Sequence, residues 1–167
     1  EGAQIYIQNV RPGISTTDQR EDGCEQAAAD RGLEVVRVDY NENSADTAQQ
    51  QTAAVLQANP NITGMFATNT FGALGAGAAI QNAGLAGAVQ VALFDASEEN
   101  IGYLRDGTVS LVIAQKPADM GYLGVIGAVA NARGVTSLPS RVPTGYAVFT
   151  ADNVDDEAMA PFIYTGN

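Results

Sequence analysis

A parallel, doubly wound α/β sheet with helices on both faces, in a three-layer α/β/α arrangement, is the fold that this sequence predicts. Five strand-like runs alternate with five helix-like stretches at short period. The strand-like runs are short and apolar throughout, as strands buried on both faces of a parallel sheet are. The helix-like stretches after them begin near Ser, Thr or Pro, and most stop at Gly, which is the expected asymmetry of helix ends.

Each unit has its own local signals. Residues 4–10 (QIYIQNV) mix β-branched and aromatic side chains; residues 15–31 then open with hydroxyl and Asp capping candidates and stop at Gly32. Residues 33–38 (LEVVRV) precede a cluster of Asn, Ser and Asp and a helix over 45–58, which ends at the Asn59-Pro60 dipeptide because the residue before proline is pushed out of the helical region. Residues 63–67 lead into a helix over 71–83 with Gly84 behind it. Residues 89–94 lead into 97–105 with Gly107 behind it, and residues 109–114 lead into 117–133 with Gly134 behind it. After Pro139 the pattern changes: Pro139, Pro143 and Gly145 frame a single run at 146–150, and an acidic stretch at 152–157 precedes Phe162 and Tyr164. The prolines predict a connection that leaves the sheet, and the apolar end predicts a surface for it to pack on.

Composition narrows the function. The 167 residues carry 8 basic and 19 acidic side chains, a formal charge of -11 that is repelled by phosphate backbones and by anionic lipid; neither nucleic acid nor a membrane surface is an expected partner. The absence of histidine removes Ser-His-Asp and Cys-His catalysis and the usual zinc ligand. A lone cysteine, Cys24, can form neither an internal disulfide nor a CxxC site, and its spacing with Ala27 and Ala28 predicts a buried helix position. No apolar run approaches the roughly 20 residues that a membrane-spanning helix needs.

Ligands of open α/β sheets bind outside the carboxyl ends of the strands, so the polar residues just past each strand are the candidates. That edge collects Asp18, Asn69, Asp95 and Gln115. Two carboxylates and two amides, without a nucleophile and its base, suit hydrogen bonding to a neutral polyhydroxylated molecule better than turnover, because carboxylates accept from hydroxyls while amides both donate and accept. Thr70 and Asp95 can equally serve as helix caps. Gly72, Gly75 and Gly77 follow neither the GxGxxG nor the GxxxxGK[ST] spacing of phosphate loops and fall inside a helix-like run, which predicts close helix packing. Asp18 and Asp95 read as an acid/base pair, or with Asn69 as a hard-metal site, have no companion cluster, and no cofactor or metal is expected.

The run 65–76 (MFATNTFGALGA), then 91–95 (VALFD), then 104–124 (LRDGTVSLVIAQKPADMGYLG) closely resembles the C-terminal lobe of periplasmic sugar-binding proteins of ABC transporters, of the ribose-binding, type I kind. The likeness extends along nearly the whole chain, through 144–154 (TGYAVFTADNV). It implies a Rossmann-like lobe over residues 1–143, with 144–167 as a hinge crossing and tail that pack on an N-terminal lobe. It also implies a periplasmic or otherwise extracytoplasmic receptor, secreted or lipid-anchored. Such a receptor captures a sugar or polyol between two lobes, without catalysis, and then docks on a membrane permease.

In that family the second lobe supplies an Asn, an Asp and a Gln after its third, fourth and fifth strands, which fall on Asn69, Asp95 and Gln115. The family's ligand-binding Arg falls on Asp18 when Gly23 is aligned with the family's glycine. This exchange of a donor cation for an acceptor anion detaches the chain from ribose specificity. The aromatic ring that many members place before the second helix falls near Asn43, leaving Tyr40 as its substitute. A lone lobe exposes one wall of the cleft and the surface of its missing partner, so the isolated chain is expected to pair as a homodimer.

Two other readings share the fold. The effector domain of a lactose-repressor-type regulator has the same ligand edge, but the run 96–108 (ASEENIGYLRDGT) resembles the transporter receptors. A Rossmann or flavodoxin-like enzyme needs a phosphate-binding loop after the first strand, where this chain has Arg11, Pro12, Gly13 and Ile14.

Overall fold

Six strands and five α-helices form over residues 2–165, the part of the chain that this computed structural model describes. They are β1 (Gln4–Asn9), α1 (Ser15–Asp30), β2 (Glu34–Tyr40), α2 (Ala45–Ala58), β3 (Ile62–Ala67), α3 (Thr70–Asn82), β4 (Gln90–Phe94), α4 (Glu98–Arg105), β5 (Leu111–Ala114), α5 (Pro117–Ala132) and β6 (Ala147–Thr150), followed by a 3-10 turn at Ala160–Phe162.

The strands lie in the order β2-β1-β3-β4-β5-β6, parallel from β2 to β5. The chain steps one way from β1 to β2 and the other way from β2 through β5. Right-handed crossovers therefore put α1 on one face and α2, α3 and α4 on the opposite face. Alternation along the strands agrees: Tyr6, Met65, Val91, Leu93 and Val112 point into the helix layer of α2 to α4 and are at most 3% exposed. The order reverses between β1 and β3, and that switch point opens a crevice at the carboxyl ends of the strands.

Glycines let the helix layer close. A Cβ on Gly75 would collide with the Ala45 carbonyl and come within 2.6 Å of Ala48 Cβ on α2; one on Gly77 would enter the Tyr103 ring of α4. These residues serve close helix packing, as their position inside the helix predicts.

Two features depart from expectation. The run after Pro143 does not leave the sheet: β6 pairs antiparallel with β5 in the register Val112↔Phe149, with Phe149 fully buried. Beyond it Val154 is buried, and Met159, Phe162, Ile163 and Tyr164 pack on the core of this sheet rather than waiting for an N-terminal lobe; residues 166–167 of the expected tail lie outside the described residues. The prolines mislead because they terminate α5's excursion rather than the sheet.

The second departure is α5. None of its residues is buried, and Met120, Tyr122, Leu123, Val125, Ile126 and Val129 are exposed. Its sequence is apolar because it is built to be covered, yet it does not sit on this sheet. Beside α1, the sheet face formed by Ile5, Phe66, Ala92, Leu111 and Ile113 accordingly remains an open apolar groove of about 510 Å³. Cys24 stands at the wall of that groove, half-buried rather than in a helix core, and burial, with Glu25 nearby, raises its thiol pKa.

Candidate functional site

Asp95 ends β4 with φ of 77°, a left-handed conformation that costs a non-glycine residue on the order of 1–3 kcal/mol. Two bonds hold it there: its amide donates to the Ile113 carbonyl at 2.8 Å, and its own carbonyl accepts from Asn100 Nδ2 at 2.8 Å. Asp95 is not a helix cap, because Ser97 takes that role for α4 by accepting from the Asn100 amide at 3.2 Å. The carboxylate is thereby free to face the crevice. Thr70 Oγ1 donates to its Oδ2 at 2.6 Å, while Gln115 Nε2 at 2.7 Å and the Tyr164 hydroxyl at 3.2 Å donate to Oδ1.

Asn69, not Thr70, caps α3: its Oδ1 accepts from the Gly72 amide at 3.2 Å. The other end of the Asn69 amide donates to Asn43 Oδ1 at 3.1 Å. Asn43 is presented by a tight turn in which Glu42 and Asn43 both have positive φ, closed by the Asn43 amide on Asn41 Oδ1 at 2.9 Å. Asn41 is itself fully buried and donates to Gln8 Oε1 at 3.0 Å. The structure thus brings Asn43, Asn69, Asp95 and Gln115 to one edge as two hydrogen-bonded pairs, Asn43 with Asn69 and Asp95 with Gln115.

Asp18 and Tyr40 have other engagements. The Asp18 carboxylate accepts from the Gly13 amide at 2.9 Å across the start of α1, whose N-cap is Ile14 without a side-chain bond. The Tyr40 hydroxyl donates to Glu21 Oε1 at 3.4 Å; burial, and then Glu21, raise its pKa. The cation that α1 sends inward is Arg20, two residues after Asp18: Nη1 donates to the Thr68 carbonyl at 2.8 Å, and the guanidinium lies 3.6 Å from the Phe94 ring centroid. Burial lowers the Arg20 pKa, against the opposing pull of Asp95.

Val10, Arg11, Ile14 and Thr17 after β1, Glu42 and Asn43 after β2, Asn69, Thr70 and Phe71 after β3, and Asp95 after β4 line a cleft of about 460 Å³, within the range of small-molecule sites. Reading the sequence passes over Phe71, whose ring is 42% exposed in this cleft and offers an apolar face, because it merges with the helix that follows. Tyr164 is missed because it lies 69 positions from Asp95, a separation at which no local pattern operates. The larger apolar groove beside α1 lacks converging polar groups and is the poorer candidate. Among the described residues, no cluster of three His, Cys, Asp or Glu side chains could hold a metal ion, and no helix is long and apolar enough to cross a membrane. Acceptors and amides on a strained, pre-set edge can hold hydroxyls.

Comparison with known proteins places this arrangement. A family model described as the periplasmic binding protein domain matches residues 1–135. The ribose import binding protein of Salmonella typhimurium is 32% identical over 128 residues, covering 75% of this chain and 42% of that protein. An ABC transporter solute-binding protein from Agrobacterium vitis, crystallised with α-D-tagatopyranose, superposes with a TM-score of 0.94 at 40% identity, covering 99% of this chain and 55% of that one. A carbohydrate transporter solute-binding protein from Agrobacterium radiobacter, in complex with D-arabinose, superposes with a TM-score of 0.91 at 30% identity, covering 98% of this chain and 56% of that one. The chain therefore spans about half the length of the proteins it matches.

Proposed function

We propose, from the premise that this chain belongs to the periplasmic binding protein family, that it is one lobe of a receptor delivering a sugar or polyol to an ABC transporter. The observation that carries this reading is the Asp95 carboxylate, held toward the crevice by a clamped backbone and supported by Thr70 and Gln115. Asp95, Asn69 and Gln115 bind hydroxyls, Asn43 positions Asn69, and Phe71 covers an apolar face of the sugar ring. Asp18 and Tyr40, bonded to Gly13 and Glu21, lie outside the cleft lining and act on sugar preference only from its periphery.

The mechanism is capture. A sugar bridging this edge and a second lobe binds the closed arrangement better than the open one, shifts the population toward it, and the closed form docks on the permease outside the cytoplasmic membrane. The second lobe comes from the part of the polypeptide by which the relatives exceed this chain, and it covers α5 and the apolar groove. The lobe boundary accordingly runs differently from the expected one at residue 143: the excursion is 117–146, and β6 with the segment to residue 165 belongs with β1 to β5. The repressor and enzyme readings are less well supported, because the matched relatives named above are transporter receptors.

The test is a thermal-shift and calorimetric titration of the full-length gene product with D-tagatose, D-ribose, D-arabinose and a set of polyols. A ligand that binds only the native state stabilises it by RT ln(1 + [L]/Kd), so a rise in Tm that grows with the concentration of one sugar is expected. A folded protein whose Tm no sugar or polyol moves would exclude the reading.

A further inference from the structure

The 3-10 turn Ala160–Phe162 and the residues after it return across the carboxyl ends of β4 and β5. The Tyr164 amide donates to the Ala96 carbonyl at 2.8 Å, forming a parallel bridge with Ser97, and Lys116 Nζ lies 5.2 Å from the Phe162 ring centroid. This seats the Tyr164 hydroxyl between the Gln115 main chain and the Asp95 side chain: it accepts from the Gln115 backbone N–H at 2.6 Å and donates to Asp95 Oδ1 at 3.2 Å.

An ionised carboxylate offers about four lone-pair positions. Among the described residues, Oδ1 receives two donors, Gln115 Nε2 and Tyr164 Oη, and Oδ2 receives one, Thr70 Oγ1. One acceptor position, on Oδ2, remains for a ligand. Without the Tyr164 hydroxyl, Oδ1 would regain an acceptor position and the Gln115 backbone N–H would lose its acceptor, so the Asp95 carboxylate would be freed to re-aim.

We propose that Tyr164, carried by the C-terminal strap, is a positioning residue of the sugar site that restricts Asp95 to accepting a single ligand hydroxyl and so sets selectivity among sugars differing at one position. The inference rests on the sugar-receptor reading. Phe162 and Ile163 anchor the strap by packing on the core; Tyr164 gives it a function in the cleft.

The test titrates the full-length protein and two variants, Tyr164→Phe and Ile163→Ala, with D-tagatose, D-ribose and D-arabinose, and with monodeoxy derivatives of whichever sugar the wild type binds. Tyr164→Phe is expected to weaken binding about tenfold, the scale of one hydrogen bond to a charged group, and to change the rank order of the deoxy derivatives. Ile163→Ala loosens the strap's packing without touching Asp95, and is expected to lower Tm while preserving that rank order. Wild-type affinity and ranking in Tyr164→Phe would overturn the inference and leave the receptor reading standing. So would an unchanged ranking with the loss of affinity matched by Ile163→Ala, which would make the strap purely structural. A wild type silent toward every sugar would overturn both.

Discussion

At Asp95 a single residue combines a left-handed backbone with a carboxylate that receives three side-chain hydrogen bonds. The main chain is held by Ile113 and Asn100, so the strain is borne by the fold and the side chain reaches the crevice already oriented. Asp95→Asn, which tolerates the same φ, should keep the fold but cost about 1.5–3 kcal/mol of sugar affinity by calorimetry, because a charged acceptor is lost. Unchanged titrations would remove Asp95 from the site. Tyrosines supply a pH dependence with a definite sign. Burial comes first in each case, joined for Tyr103 by Glu99 and for Tyr164 by Asp95 against the opposing bond from the Gln115 backbone N–H, and both hydroxyls are pushed from 10.0 to about 12; Tyr6, buried beside Asp39, is raised as well. A raised acid favours the folded state only while it stays protonated. The stability from these groups is therefore whole below pH 10 and is lost between pH 10 and about 12. Urea midpoints measured from pH 8 to 11 should fall above pH 10, and fall less steeply in Tyr164→Phe; a flat profile would contradict the burial of these hydroxyls.

Elements are governed by how closely they approach. The helix α3 is an apolar, glycine-rich rod wedged between α2 and α4, and its glycines replace side chains that would otherwise hold the layers apart. Gly77→Ala should destabilise the protein by about 1–3 kcal/mol, since the added Cβ meets the Tyr103 ring and the core cannot expand freely. Gly121→Ala in α5, where nothing lies within 4 Å of the position, should not be destabilising in the isolated chain. Denaturant melts of the two variants side by side check the contrast, and equal losses would show that α5 is packed after all.

For the whole molecule, the uncovered α5 and the groove beside α1 are the surfaces that decide its solution behaviour. Contiguous apolar faces of this kind are seldom left to water. The isolated chain should self-associate through them despite its charge of -11, because α5 has Asp119 as its one charged side chain and Arg20 is the one charged side chain at the groove. Sedimentation should show dimers or larger species for the isolated chain, fewer for its Val125→Glu variant, and a monomer for the full-length protein if the proposed second lobe covers both faces. A monomeric isolated chain at every concentration tested would sink this account.

Local signals were enough for the alternation, the helix and strand limits to within two residues for most elements, and the residues near the strand ends, because caps, glycine stops and apolar runs act over a few positions. The positions of Asn69, Asp95 and Gln115 at the sheet edge were legible for that reason: each lies within two residues of a strand end. The rest was set by contacts at long range. That 147–150 returns to the sheet beside β5, that Tyr164 reaches an aspartate 69 positions earlier, that Asn69 rather than Thr70 caps α3, and that no residue of α5 is buried are matters of which surfaces meet. An apolar helix looks the same in sequence whether its partner is this sheet or another, since burial is a property of the neighbours that the fold supplies.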